Sequence, residues 1–125
     1  MKIKFKKLDH VQVCIPIGEE ERARNFYCNI LGLQELERPK SIQNIAGFWL
    51  KIADISLHIG TENTEGISKR HPAFVVEDSI LIKKYLIDKG VRIQEEQEIP
   101  GINRFSFYDP WNNRIELIEK TPNFL

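Results

Sequence analysis

The sequence predicts an α+β protein built from two tandem β-α-β-β-β modules, residues 8–62 and 70–119, forming a cup-shaped mixed β-sheet barrel. The first observation is an internal repeat: a shift of 61 residues places His10 on His71, and a shift of 58 places His58 on Glu116. The second is that both copies show the same succession of apolar strands around one helical segment. Two small sheets must pack together to bury their apolar faces, so we expect one domain over residues 1–125.

Composition and charge exclude several classes of function. The chain has 125 residues, 42% of them apolar and 29% charged, which are ordinary values for a globular domain. Lys and Arg number 18, as do Asp and Glu, which argues against nucleic acid or an anionic membrane surface as a partner. No apolar run is long enough for a membrane span, and the basic start lacks the apolar stretch of a signal peptide. We therefore predict a cytoplasmic protein whose Cys14 and Cys28 are free thiols.

The first module is predicted strand by strand. Residues 8–16 alternate and are rich in Val and Ile, which indicates a strand. Glutamates at 19–21 favour a helix start through the helix dipole, and apolar residues at helical spacing continue to Gly32, a natural C-cap. Residues 33–38, 47–53 and 55–61 predict three further strands, with Asp54 in a tight turn.

The second module repeats this order. Residues 71–76 predict a strand, and Asp78 or Ser79 is expected to cap a helix that ends at Gly90. Residues 91–96 predict the next strand, followed by a turn at Pro100 and Gly101. Residues 104–108 and 114–118 predict a hairpin around 109–113. The polar, glycine-containing segment 62–69 is the predicted linker between the modules.

Three motifs carry a resemblance to a known family: Leu8-Asp9-His10-Val11, Phe26-Tyr27-Cys28-Asn29-Ile30-Leu31-Gly32-Leu33 and Asp109-Pro110-Trp111-Asn112-Asn113-Arg114-Ile115-Glu116. Over residues 8–119 the chain resembles the vicinal oxygen chelate superfamily, which includes glyoxalase I, extradiol dioxygenases, fosfomycin-resistance proteins and bleomycin-binding proteins. The family usually has Gly where this chain has Asn112, and Asn also tolerates a left-handed turn. The resemblance implies a homodimer, and it leaves open whether the cup is built within one chain or across two.

The three histidines of the chain and one glutamate are the candidate metal ligands: His10, His58, His71 and Glu116. Taken singly, a strand histidine is more often a core or surface residue, but these four share the phase of the repeat. The resemblance implies that ligands come from the first and last strands of each module, where these residues lie. Imidazole and carboxylate suit Zn, Ni, Mn, Co or Fe(II) better than Ca or Mg. A substrate with two adjacent oxygens would fill the remaining positions of an octahedral ion.

Strand alternation predicts which other side chains face the ligands. Gln12 and Cys14 share a face with His10, and Arg114 shares one with Glu116. Cross-strand pairing adds positions from the neighbouring strands, so that the predicted substrate contacts are Gln12, Phe48, Arg104, Ser106 and Tyr108. Leu50 lies at a position equivalent to these contacts, whereas Trp49 and Phe107 are expected to face the helices as core residues.

For two of the predicted substrate contacts, a purely structural role is the alternative to substrate binding. Arg104 would bind a substrate carboxylate or phosphate, or it is a surface arginine. Tyr108 would donate a hydrogen bond to developing charge, or it only packs. Cys14 has no evident base beside it, which favours a small buried residue over a nucleophile.

The resemblance implies a metal-dependent lyase or isomerase of glyoxalase type, acting on a small hydroxy-carbonyl substrate, with Glu116 as the catalytic base. One alternative is Fe(II) dioxygenase chemistry, since His10, His71 and Glu116 match a facial triad. Fosfomycin transferases share these three ligands as well. A further alternative is a non-catalytic protein that binds a small molecule or antibiotic, although bleomycin-binding relatives lack the metal ligands.

Overall fold

A computed structural model of the chain describes residues 1–2, 4–63, 66 and 68–120. The chain divides into two compact units, Met1–Thr64 and Glu65–Leu125. Residues 64, 65 and 67 of the predicted linker lie outside the described residues, as do residues 3 and 121–125 of the predicted domain. In the part of the chain that is described, no helix is long and apolar enough to cross a membrane.

The first unit is a four-stranded sheet with one helical segment. Its elements are β1 (His10–Ile15), α1 (Glu20–Arg24) with the π-helix Asn25–Ile30, β2 (Gln34–Leu36), a 3-10 turn (Lys40–Ile42), β3 (Phe48–Ile52) and β4 (Ile55–Thr61). Strand β1 pairs in parallel with β4, and β4, β3 and β2 follow in antiparallel order. The helix α1 continues directly into the π-helix, which ends before Gly32 at φ +77°.

The second unit repeats this topology, with strand order β5-β8-β7-β6 and a parallel β5–β8 pair. Its elements are β5 (Ala73–Val75), α2 (Ser79–Asp88), β6 (Arg92–Glu95), β7 (Ile102–Tyr108) and β8 (Arg114–Lys120). The predicted α+β class and duplicated β-α-β-β-β order are confirmed. Each sheet is open, and the described strands form no closed barrel.

Strand β5 begins two residues later than the sequence pattern indicates. Pro72 has no N–H to donate to a ladder, although its carbonyl still accepts from the N–H of Glu116 at 3.0 Å. His71 therefore lies just before the strand rather than within it, and it remains next to β8.

Alternate strand positions form the core of each unit. In the first unit Ile15, Leu50 and Leu57 are fully buried, together with Ala23 and Tyr27 of the helical segment. In the second unit, Phe105, Phe107 and Ile115 are buried together with Leu86 of α2. Each such side chain contributes roughly 1.5–3 kcal/mol when removed from water, so the buried faces hold the sheets in register and leave the opposite faces for polar residues.

The turn between β7 and β8 is held by Asp109, which is fully buried. Its carboxylate accepts from the backbone N–H groups of Trp111 and Asn113 at 2.9 and 2.8 Å, and from the Asn113 side chain at 2.7 Å. Asn112 adopts φ +70°, so the left-handed turn expected at this position is confirmed.

The hydrogen-bond acceptor that caps the start of α2 is not one of the two predicted residues. Asp78 occupies the N-cap position with φ +57° and makes no capping hydrogen bond through its side chain. The acceptor is Glu119 of β8, whose carboxylate receives the N–H groups of Asp78 and Ser79 at 3.0 and 3.1 Å and the Ser79 hydroxyl at 2.7 Å. The expectation that Asp78 or Ser79 supplies the cap is wrong, because the acceptor comes from a strand 40 residues away in sequence.

Replacing Glu119 tests this tertiary cap. Hydrogen bonds from Ser79 and from the backbone at 78 lower the pKa of Glu119. The charged form therefore contributes stability above the unfolded-state pKa, and this contribution is lost as pH falls through the lowered folded-state pKa. We expect Glu119→Gln to lower the urea midpoint at neutral pH and to converge with the wild type in acid. Glu98→Gln, at an exposed position, is the control, and equal midpoints for Glu119→Gln and wild type at neutral pH would contradict the cap.

Candidate metal-binding site

In the first unit, β1 and β4 bring His10 and His58 together on the sheet face opposite the core, here called the first site face (positions 10, 12, 14, 49, 56, 58 and 60). The two imidazole rings are stacked, with centroids 4.0 Å apart and planes at 12°. Trp49, the register partner of His58 on β3, stacks on His58 at 4.1 Å and 3°. Because β4 lies between β1 and β3, the His58 ring is held between two other rings and is only 9% exposed.

Each ring of this pair makes a hydrogen bond, and Nε2 of His58 lies 3.0 Å from the hydroxyl oxygen of Ser56. Nδ1 of His10 is 2.8 Å from Oδ2 of Asp9, which places a proton on Nδ1 and leaves the lone pair of His10 on Nε2. This hydrogen bond lowers the pKa of Asp9. Burial, followed by the charge of His10, lowers the pKa of His58. His58 is therefore held in the neutral form that a metal ligand requires.

In the second unit, His71 and Glu116 form the corresponding pair. Nδ1 of His71 is 2.8 Å from the carbonyl of Lys69, which can only accept, so Nδ1 carries a proton. Nε2 is 3.1 Å from Oε1 of Glu116. In a neutral His71, Nε2 presents a lone pair to a carboxylate oxygen, and two acceptors face each other unless a proton or a cation lies between them. Neighbouring ligands of an octahedral ion with bonds of about 2.1 Å lie about 3 Å apart, which this spacing matches.

Arg104 reaches the same carboxylate from β7. Its Nη1 is 3.3 Å from Oε2 of Glu116, whereas Nε and Nη2 donate to the carbonyl of Gln97 at 3.1 and 2.8 Å. Glu116 is 6% exposed, so its charge is compensated by groups inside the protein. Arg104 lies on the same sheet face as Glu116, as alternation predicts, and its donors are directed at protein acceptors.

Glu96 is a second acidic residue on this sheet face, and the sequence reasoning missed it. Its side chain is 9% exposed and accepts from Arg114 Nη2 and from the Ser106 hydroxyl, both at 2.5 Å. Burial opposes ionisation of Glu96, but the hydrogen bonds from Ser106 and Arg114 outweigh it and lower its pKa. Ser106 pairs with Gln94 in the β6–β7 register, so alternation from Ser106 was the signal that places Glu96 on this face.

The other predicted contacts fall where strand pairing places them. Gln12 is the register partner of His58, Ser106 that of Glu116, and Tyr108 that of Arg114. The Tyr108 hydroxyl donates to the side-chain carbonyl of Gln94, so its proton is already engaged.

The predicted facing of Phe48, Leu50 and Trp49 is wrong. Phe48 and Leu50 are 2% and 0% exposed, and the guanidinium of Arg24 lies 4.4 Å from the Phe48 ring centroid, so both side chains face the helix. Trp49 lies on the first site face instead. Phe107 is buried as expected.

A difference in hairpin length explains this reversal. Residues 52–55 separate the register partners Lys51 and Ser56, whereas residues 109–113 separate Tyr108 and Arg114, one residue more. The repeat shift of 58 that relates β4 to β8 therefore becomes 57 between β3 and β7. A change of one residue moves a side chain to the other face of a strand.

The structure thus brings the four ligand candidates together as two pairs, His10 with His58 and His71 with Glu116. Within the described residues, no three His, Cys, Asp or Glu side chains are clustered as a complete metal site. The binding of one ion by all four residues stays a prediction.

Comparison with known proteins identifies the family. The model of the Glyoxalase/Bleomycin resistance protein/Dioxygenase superfamily matches residues 7–117, and the chain belongs to this superfamily. No curated protein gives a match.

Solved structures agree with this membership. A protein from Bacillus anthracis assigned to the glyoxalase family is 37% identical, with 97% of this chain and 100% of that chain covered and a TM-score of 0.88. A glyoxalase family protein from Enterococcus faecalis is 24% identical, covers 92% of this chain and 98% of its own, and has a TM-score of 0.72. The fosfomycin resistance protein FosX from Listeria monocytogenes, complexed with Mn(II) and sulfate, is 20% identical over 95% and 94% of the two chains, with a TM-score of 0.73. The last two likenesses show the fold alone.

Glu96 gives a stability test of the sheet face that carries Glu116 in the second unit. In Glu96→Gln the guanidinium of Arg114, which is 14% exposed, loses its counter-charge, and we expect a loss of roughly 2–3 kcal/mol in unfolding free energy from urea titration. Glu95→Gln is the matched control, since Glu95 is the neighbouring residue, is 69% exposed and pairs with Lys83 at the surface, where ion pairs contribute under about 1 kcal/mol. Equal losses in the two variants would show that the Glu96–Arg114 pair is not structurally important.

Proposed function

We propose that this chain is a metal-dependent lyase or isomerase of glyoxalase type, in which His10, His58, His71 and Glu116 bind one divalent transition metal ion. One observation carries the proposal. At the two repeat-equivalent positions, His10 and His71, Nδ1 is engaged by an oxygen acceptor at 2.8 Å, which leaves Nε2 of each ring for the metal. Metal-binding histidines in proteins are oriented by such hydrogen bonds.

The residues present fit a divalent transition metal. In a neutral His71 the Nε2 lone pair faces a carboxylate oxygen of Glu116 at 3.1 Å, an arrangement that a cation relieves. In the His10–His58 pair the ring planes are nearly parallel, and the nitrogen lone pairs lie in those planes. One ring must therefore turn for both lone pairs to reach one ion. The side chain of His10 is 43% exposed and can turn, whereas His58 is fixed between rings.

The proposed substrate is a small hydroxy-carbonyl compound with two adjacent oxygens. A bound divalent metal supplies Lewis acidity at the carbonyl oxygen. Glu116, transiently released as a ligand, would act as the base: it accepts a proton from the hydroxyl-bearing carbon and returns it to the neighbouring carbonyl carbon, while the hydroxyl proton passes to the former carbonyl oxygen, so that an isomerisation leaves the protein unchanged. Arg104 holds Oε2 of Glu116 during this exchange, and it keeps Oε1 directed toward His71. The proposal includes the homodimer and the cytoplasmic location expected from the sequence.

Metal content is the direct test. Protein purified without chelator or affinity tag should contain about one divalent transition metal per chain by elemental analysis, because these ligands bind such ions in deprotonated form. His10→Ala and Glu116→Gln should each lose most of it while keeping the far-UV circular dichroism of the wild type. Glu98→Gln is the control for loss of an exposed carboxylate. Metal contents unchanged in both ligand variants would overturn the assignment.

Arg104 has a distinct expected effect. Because it orients a ligand without binding the ion, Arg104→Gln should weaken metal affinity about 10- to 100-fold, measured by competition with a chelating dye, and leave the saturating stoichiometry unchanged. Arg22→Gln, an exposed arginine, should leave affinity as in the wild type. Unchanged metal affinity together with weaker binding of anionic ligands would assign Arg104 to the substrate instead.

A further inference from the structure

The first unit contains a cavity of about 310 Å³ beside His58. This volume is at the lower end of the range for small-molecule sites. It opens next to the candidate ligand pair, yet metal binding does not involve most of its walls. Its walls include the side chains of Gln12, Arg38, Ile42, Ile45, Trp49 and His58.

Arg38 gives this cavity a positive charge. Its Nη2 donates to the carbonyls of Gln43 and Ile45 at 3.3 and 2.6 Å, and the Gln43 side chain donates back to the Arg38 carbonyl at 2.8 Å. The guanidinium and the 38–45 segment therefore fix each other.

The charge of Arg38 differs from that of the arginines on the second sheet. Arg104 lies 3.3 Å from Glu116 and Arg114 lies 2.5 Å from Glu96, so each of them has a carboxylate partner. Among the described residues no carboxylate pairs with Arg38, and its Nε and Nη1 have no acceptor. A half-buried guanidinium with unused donors favours an anionic ligand.

The remaining walls indicate what the anion is attached to. Ile42, Ile45 and the Trp49 ring provide apolar surface, and Ile45 is 57% exposed. On the opposite side, a Cβ at Gly60 would lie 2.8 Å from Nε2 of Gln12, so glycine at 60 leaves room for the Gln12 amide. The cavity thus combines one cation, one amide and an apolar wall.

We propose that this cavity, the Arg38 pocket, binds a small organic carboxylate, with the carboxylate at Arg38 and the apolar body against Trp49 and Ile45. This inference deepens the proposed function, because it assigns the acidic end of the substrate to Arg38 rather than to Arg104. It rests on the proposed function only for the statement that the bound carboxylate is the substrate. Binding in the pocket itself needs no metal, so it is tested on protein treated with chelator.

The experiment uses tryptophan fluorescence. The chain has two tryptophans, so a Trp111→Phe background makes Trp49 the reporter. Phenylacetate and its neutral counterpart phenylacetamide are titrated in turn, and a charge-assisted hydrogen bond predicts at least about tenfold tighter binding of the carboxylate. In the same background Arg38→Gln should abolish the preference, and Arg22→Gln, an exposed arginine of the same unit, should retain it.

Three results would overturn the Arg38 pocket. The first is equal binding of phenylacetate and phenylacetamide, and the second is a preference for phenylacetate that survives Arg38→Gln. The third is binding of inorganic phosphate as tight as that of phenylacetate, which would show that the apolar wall does not contribute to binding. The comparison of the two probes on unsubstituted Arg38 stands even if Arg38→Gln does not fold. Metal content is measured separately, so the two proposals can fail independently. Metal binding without a carboxylate preference would contradict only the Arg38 pocket. A carboxylate preference in a protein that binds no metal would contradict only the metal assignment.

Discussion

The parallel pairing of the first and last strands within each unit determines where every candidate ligand lies. His10 and His58 are far apart in sequence, and so are His71 and Glu116, yet the β1–β4 and β5–β8 ladders bring each pair into contact. A parallel ladder needs a crossover connection, which the helix and the antiparallel hairpin supply in both units. The core side chains on the opposite faces hold these ladders in register, so apolar burial is what fixes the polar geometry.

The two sheets differ in how their charged side chains are compensated. In the second unit, Glu96 and Glu116 compensate Arg114 and Arg104, so a set of buried charges is neutral within the protein. Such pairs cost desolvation and contribute geometry more than stability. In the first unit the site face carries neutral His58 and stacked aromatic rings, and the guanidinium of Arg38 lines the cavity beside His58. The sheet of the second unit is therefore suited to orienting the Glu116 carboxylate. The sheet of the first unit is suited to binding an organic molecule.

Period-two alternation, turn residues and the internal repeat were sufficient to predict the strands, their order along the chain and the pairing of His10 with His58 and of His71 with Glu116. They were not sufficient where a side chain depends on a partner distant in sequence. Glu119 caps α2 from another strand, and Glu96 is visible only once the β6–β7 register is known. Phe48 and Trp49 were exchanged because the repeat was extended through a hairpin whose length differs between copies. Apolar patterns define which residues form strands, but tertiary hydrogen bonds and hairpin length define which way each one faces.

The unequal hairpins have a consequence for how a duplicated sequence can diverge. With a turn longer by one residue in the second copy, residues of the preceding strand that are equivalent at a shift of 58 face opposite sides of the sheet in the two units. The position beside the histidine at 58 then holds an indole, whereas the position beside the glutamate at 116 holds a serine hydroxyl. A single residue inserted in a turn is thus enough to give two copies of one module different side chains beside the equivalent positions 58 and 116, without any change in the strand pairing.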